Sequence, residues 1–349
     1  MSTSREPFPG KYAVTAISIS SVLLYFLILV LGVVLLAFSP LGRVMMNTYS
    51  IQHIEFFFLF FRIPLTLNMF IPTVLALSVY VVCFAVAFIE NGGYVNSLRQ
   101  LKIRSNRIPN CLLIMPLVTS TLLLIVYFII WVQDIFAIPT GNVGISQPFI
   151  LFAALTTSPI SQELGFRITT IGLIVAIRSV FFRRVQGSRA RHLADSFWSP
   201  DLAKTEAGLD SVASVGLRRG IHWSEWIMLG FTSVVFGFAH ITTGSTWEIG
   251  KVTTAAIAGF VMGLAFLIYG AHAAILIHWF FNYYTQVSWI GTLAYDQSSP
   301  TYLIYSALNN IIGGWADLVG LLGFVLIAWY FLWSRQRSGG PARTDQPSL

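Results

Sequence analysis

The stretch Ser161-Gln162-Glu163-Leu164-Gly165-Phe166-Arg167 decides how the rest of the chain is read. It lies inside Pro148 to Phe182, a run that otherwise has the apolar character of a membrane-buried helix. A carboxylate or guanidinium in hydrocarbon costs at least about 2–3 kcal/mol, so ionisable groups there usually face a protein interior and serve a function. Two later apolar runs carry the other intramembrane groups of this kind, His240 in one and His278 with Asn282 in another. The expectation is that three helices meet at one polar site within the bilayer.

Composition sets the fold class. Of 349 residues, 56% are hydrophobic and 10% are charged, and the mean hydropathy is +0.74. A soluble domain carries about 25% charged residues. Apolar runs of span length also recur, so the chain is expected to be an all-α, polytopic helical membrane protein with about eight transmembrane helices. The formal charge of +7 sits in loops between those runs. Topology accounts for that better than nucleic acid does, and no nucleic-acid partner is expected. Cys83 and Cys111 lie in or beside membrane runs without metal-type spacing and imply no oxidising compartment.

In chain order, the first span is expected at Ala13 to Phe38, preceded by Arg5 and Lys11. It is too long for a signal-peptide core and is taken as retained. Ile51 to Arg62 is aromatic-rich and carries Glu55, which suggests an interfacial segment or part of a bent helix. Spans follow at Leu67 to Ile89 and Cys111 to Trp131, separated by a loop with Arg99, Lys102, Arg104 and Arg107. The fourth run, Pro148 to Phe182, has Pro159 inside it and is expected to kink or break there, with Arg178 snorkelling at its far end. A polar insertion of about forty residues, 183–221, is longer than an ordinary connection. The remaining spans are expected at Trp223 to Thr243, Lys251 to Tyr269, Ala271 to Trp289 and Ile312 to Trp333.

Lys and Arg alternate between rich loops and poor ones. The amino terminus, the 92–110 loop, the insertion and the tail with Arg335, Arg337 and Arg343 are rich. The positive-inside rule therefore predicts a multi-pass cell-membrane protein with both termini cytoplasmic. Three parts follow: amino-terminal helices over 1–147, a core over 148–292 containing the 183–221 insertion, and a final helix with its tail over 293–349.

Residues four apart share a helix face. That sorts the intramembrane groups into Glu163 with Arg167, Phe236 with His240, and His278 with Asn282. A carboxylate beside a neutral imidazole can take a proton from water, while a second imidazole and an amide can donate to the oxyanion formed at a carbonyl. The set Glu163, His240 and His278 could instead hold a divalent metal such as zinc. The histidines come singly on different helices, however, so no cofactor is the first expectation. His53, His192, His222 and His272 look like loop or interface residues.

These residues resemble the CPBP intramembrane proteases, the type II CAAX prenyl proteases and their bacteriocin-processing or Abi relatives. The matches are Gln162-Glu163-x-x-x-Arg167, Phe236-x-x-x-His240 and His278-x-x-x-Asn282, in that order, within roughly 150–290. The resemblance implies an intramembrane endopeptidase acting on a membrane-associated peptide or protein, with the lipid bilayer as its setting and an oligomeric state the sequence does not define. A glutamate and the first histidine would activate water, and the second histidine with the asparagine would stabilise the oxyanion. One position departs. The family has glutamate where this chain has Gln162, and a neutral amide cannot take the proton from water. Glu163 faces Arg167, whereas position 162 is turned about 100° away. Either Glu163 serves as the base, or the chain is a weakly active or inactive scaffold of the same fold.

Overall fold

The computed structural model describes residues 11–56, 61–99, 108–145, 147–181, 188–242, 246–284 and 286–338. Arg5, Lys102, Arg104, Arg107, Arg183, Arg184 and Arg343, which contribute to the charge alternation, lie outside them, as do the side chains of Arg335 and Arg337.

Long helices dominate, as the apolar runs require: with no water in hydrocarbon, a spanning segment must satisfy its own backbone. They begin with α1 (Lys11–Phe38) and the short α2 (Pro40–Thr48). The segment around Ile51–Arg62 is neither helical nor bent but a β-hairpin, β1 (Ser50–Phe56) and β2 (Phe61–Asn68). The strands are antiparallel, from Ser50 opposite Asn68 to Phe56 opposite Phe61, with an irregularity between Ile51 and His53. Then follow α3 (Phe70–Ile89), α4 (Tyr94–Arg99) and α5 (Cys111–Ile135). Asn110 caps α5 by accepting the Leu112 N–H at 3.0 Å.

The fourth run does not break at Pro159. α6 (Pro148–Glu163) passes through it into a π-helical stretch, Leu164–Thr169. α7 (Thr170–Ala176) and a second π-helical stretch, Ile177–Phe181, complete the rod. Such widened turns recur at functional sites. The insertion folds into four short helices, α8 (Arg189–Trp198), α9 (Pro200–Glu206), α10 (Val212–Val215) and α11 (Leu217–Gly220). Arg178 does not snorkel. It pairs with the fully buried Glu225, whose other oxygen accepts from the buried Lys204 at 3.1 Å. Lys204 also donates to the Gly220 carbonyl at 2.7 Å. Buried charges are tolerated only when paired in this way, and the cluster fastens the insertion to the bundle.

α12 (Trp223–Thr242) and α13 (Ile249–Tyr269) pack against each other. The run expected as one span at 271–289 is two helices, α14 (Ala271–Tyr283) and α15 (Gln286–Ala294). The last helix, α16 (Pro300–Ser338), starts well before the expected Ile312. Among the described residues, seven helices are therefore long and apolar enough to cross a membrane: α1, α3, α5, the α6–α7 rod, α12, α13 and α16. α14 is enclosed instead. Every residue from Ala271 to Phe280 is buried, and the helix packs on α3, α5, α6 and α13. Tyr80 from α3 donates to the Thr156 carbonyl at 2.6 Å, and the Thr156 and Tyr283 hydroxyls are bonded, which ties α3, α6 and α14 together.

Candidate active site

The polar groups gather where α6, the first π-helical stretch, α12 and α14 meet. Glu163 is the last residue of α6 and is fully buried, as is Arg167 four positions on. Arg167 Nη1 donates to Glu163 Oε1 at 3.0 Å, the intrahelical ion pair that the spacing predicts. The same carboxylate oxygen lies 2.7 Å from Nδ1 of His278 on α14. Glu163 Oε2, Arg167 Nε and Arg167 Nη2 are buried without a hydrogen-bond partner among the described residues.

Phe236 of α12 spaces the remaining groups. The guanidinium carbon of Arg167 stands 4.1 Å from its ring centroid, a cation–π contact that partly offsets the cost of burying the charge. The rings of His240 and His278 meet the Phe236 ring nearly at right angles, with centroids 4.8 Å and 5.9 Å away. His240 is half-buried, and its Nδ1 lies 2.8 Å from the Phe236 carbonyl. A carbonyl can only accept, so that nitrogen carries the proton and Nε2 presents a lone pair. By the same reasoning, the Glu163 carboxylate oxygen accepts from Nδ1 of His278. Asn282, one turn beyond His278, donates to Ser158 Oγ at 3.2 Å and to the Leu155 carbonyl at 3.3 Å. Gln162 is half-buried and adjacent to the carboxylate, and it takes no part in the Glu163–Arg167–His278 bonding.

The structure therefore bonds Glu163 directly to Arg167 and His278, and it brings His240 to them across Phe236. The carboxylate's histidine partner is the second of the two, not the first. Ser158 is a site residue that sequence patterns did not single out, whereas Gly259 belongs to a Gly259-x-x-x-Gly263 spacing that suits close helix approach without marking the site. A Cβ at Gly259 would lie 2.7 Å from Arg167 Nη2 and 3.0 Å from Phe236 Cδ1. The glycine leaves the room that the guanidinium occupies. Gly259→Ala is thus expected to destabilise the protein by about 1–3 kcal/mol through overcrowding. Thermal unfolding in nanodiscs checks this, and an unchanged midpoint would show that Arg167 has space to move.

Glu163, His240 and His278 do not form a three-ligand metal cluster. Among the described residues the group close enough to do so is Glu90, Cys111 and His272. His272 is no loop residue: it is buried at the start of α14, with Nε2 at 2.7 Å from Glu90. His192 is buried as well, on α8.

No curated protein and no solved structure matches this chain. Residues 144–284 match the sequence model of a family described as Type II CAAX prenyl endopeptidase Rce1-like. That segment runs from just before α6 to the end of α14 and contains all three motifs. Over these residues the chain is similar to the type II CAAX prenyl endopeptidases, and its apolar helices make it a multi-pass helical membrane protein.

Proposed function

We propose that His240 is the general base of peptide hydrolysis and that Glu163 acts through His278. The observation that carries this reading is the pair of hydrogen bonds on the two Nδ1 atoms, which fix the orientation of both imidazole rings. His240, oriented through Nδ1 by a backbone carbonyl, takes a proton from water at Nε2. His278, oriented by the Glu163 carboxylate, donates from Nε2 to the oxyanion, assisted by the Asn282 amide. Glu163 is then a counter-ion and positioning group, a role that does not need a second carboxylate at 162. The family match supports a membrane-embedded peptide as substrate. We further assign both termini to the cytoplasm, which requires α14 and α15 together to count as an eighth crossing.

A scaffold reading has one observation in its favour: Glu163 is wholly buried and already engaged by two partners. Gln162→Glu separates the two. If His240 is the base, the native chain cleaves a membrane-tethered peptide and Gln162→Glu alters the rate by less than about tenfold. If the chain is a scaffold, the native protein is inert and the added carboxylate creates activity of the size a general base supplies, about 10²–10⁴-fold. A time course of peptide cleavage in proteoliposomes reads both outcomes.

A further inference from the structure

A second cluster, independent of the proteolytic reading, joins the ends of three helices. Glu90 follows the last residue of α3, Cys111 opens α5 and His272 is the second residue of α14. One ligand atom from each lies within 4.8 Å of the others. Glu90 Oε2 and His272 Nε2 are 2.7 Å apart, and Glu90 Oε1 accepts the Cys111 backbone N–H at 2.8 Å. The carboxylate is therefore oriented by the same residue that brings the thiol. Cys111 and His272 are buried, whereas the Glu90 side chain keeps 12% exposure and provides an entry path. His272 Nδ1 is buried with no partner among the described residues, so the ring is held in the cluster through Nε2.

We infer that Glu90, Cys111 and His272 bind a zinc-class divalent cation. Ligand atoms around one tetrahedral zinc stand about 3–4 Å apart, so small rotations of the three side chains suffice. A thiolate, an imidazole and a carboxylate form a mixed soft and borderline set that favours zinc over magnesium or calcium. Charge balance points the same way: one dication with one carboxylate and one thiolate is neutral, the arrangement that burial at a membrane boundary tolerates. On binding, the metal takes the place of the hydrogen between Oε2 and Nε2. The ring proton moves to Nδ1, and the Cys111 thiol releases its proton to solvent. The site would fix the start of α14, the helix that carries His278 about two turns and Asn282 about three turns further on.

The test uses the full chain in nanodiscs, prepared with a histidine-free tag, stripped with EDTA, equilibrated with Zn²⁺ and desalted. The expected result is one zinc per chain, retained in Cys83→Ser and lost in Cys111→Ser, His272→Ala and Glu90→Gln. Cobalt(II) in place of zinc should give a thiolate charge-transfer band in Cys83→Ser, with Cys111 as the remaining thiol. Zinc should also slow alkylation of Cys111 in that variant by at least about tenfold, because a coordinated thiolate is no longer free to react. These readouts need neither activity nor the three ligand variants to fold. A stripped native chain that takes up no zinc, or Cys111→Ser retaining the full stoichiometry, overturns the assignment.

Discussion

Glu163→Gln is expected to abolish peptide cleavage and to destabilise the bundle by about 3–5 kcal/mol, because it leaves the fully buried Arg167 without its counter-charge. The loss is large because Glu163 Oε1 serves two partners at once. Without the carboxylate, Arg167 keeps the Phe166 and Phe236 rings but no counter-charge among the described residues, and His278 loses its Nδ1 partner. The double change Glu163→Gln with Arg167→Met removes the stranded charge and should recover most of the stability while staying inactive. Unfolding midpoints and cleavage rates of the two proteins in nanodiscs separate the structural from the chemical role. Full activity in either protein would remove Glu163 from the mechanism.

His240→Ala is expected to lower kcat by about 10²–10⁴, the contribution of a positioned general base, with little change in KM. The cost in stability should be small, because the ring is half-buried and its hydrogen bond is to its own helix. His278→Ala should cost less in rate, about 10²–10³, as the loss of one oxyanion donor does. The order of these two effects matters. If His278→Ala proves the more damaging of the pair while the fold is intact, the Glu163–His278 pair is the base, and His240 moves to the oxyanion.

Much of this arrangement was legible in the amino-acid order because two periodicities are simple. Uninterrupted apolar runs of span length give the bundle, and i, i+4 spacing pairs Glu163 with Arg167 and His278 with Asn282 on their helix faces. What escaped has physical reasons. The aromatic residues near Ile51–Arg62 suit a strand as well as a helix, and nothing local decides between them. The break between Tyr283 and Gln286 has no glycine or proline to mark it. The room at Gly259 is a tertiary fact, visible only when Arg167 arrives from another helix. Glu90 and His272 are separated by 182 positions, so their meeting has no sequence signature at all.

The enclosed α14 has a consequence for biogenesis. Its thirteen residues are too few to cross about 30 Å of hydrocarbon as a straight helix, so the translocon has little basis for releasing it sideways as an independent span. It must be recruited by helices already inserted, with Tyr80 and Thr156 meeting Tyr283 as docking points. The helix that carries His278 and Asn282 thus takes its place late, after the walls around it stand.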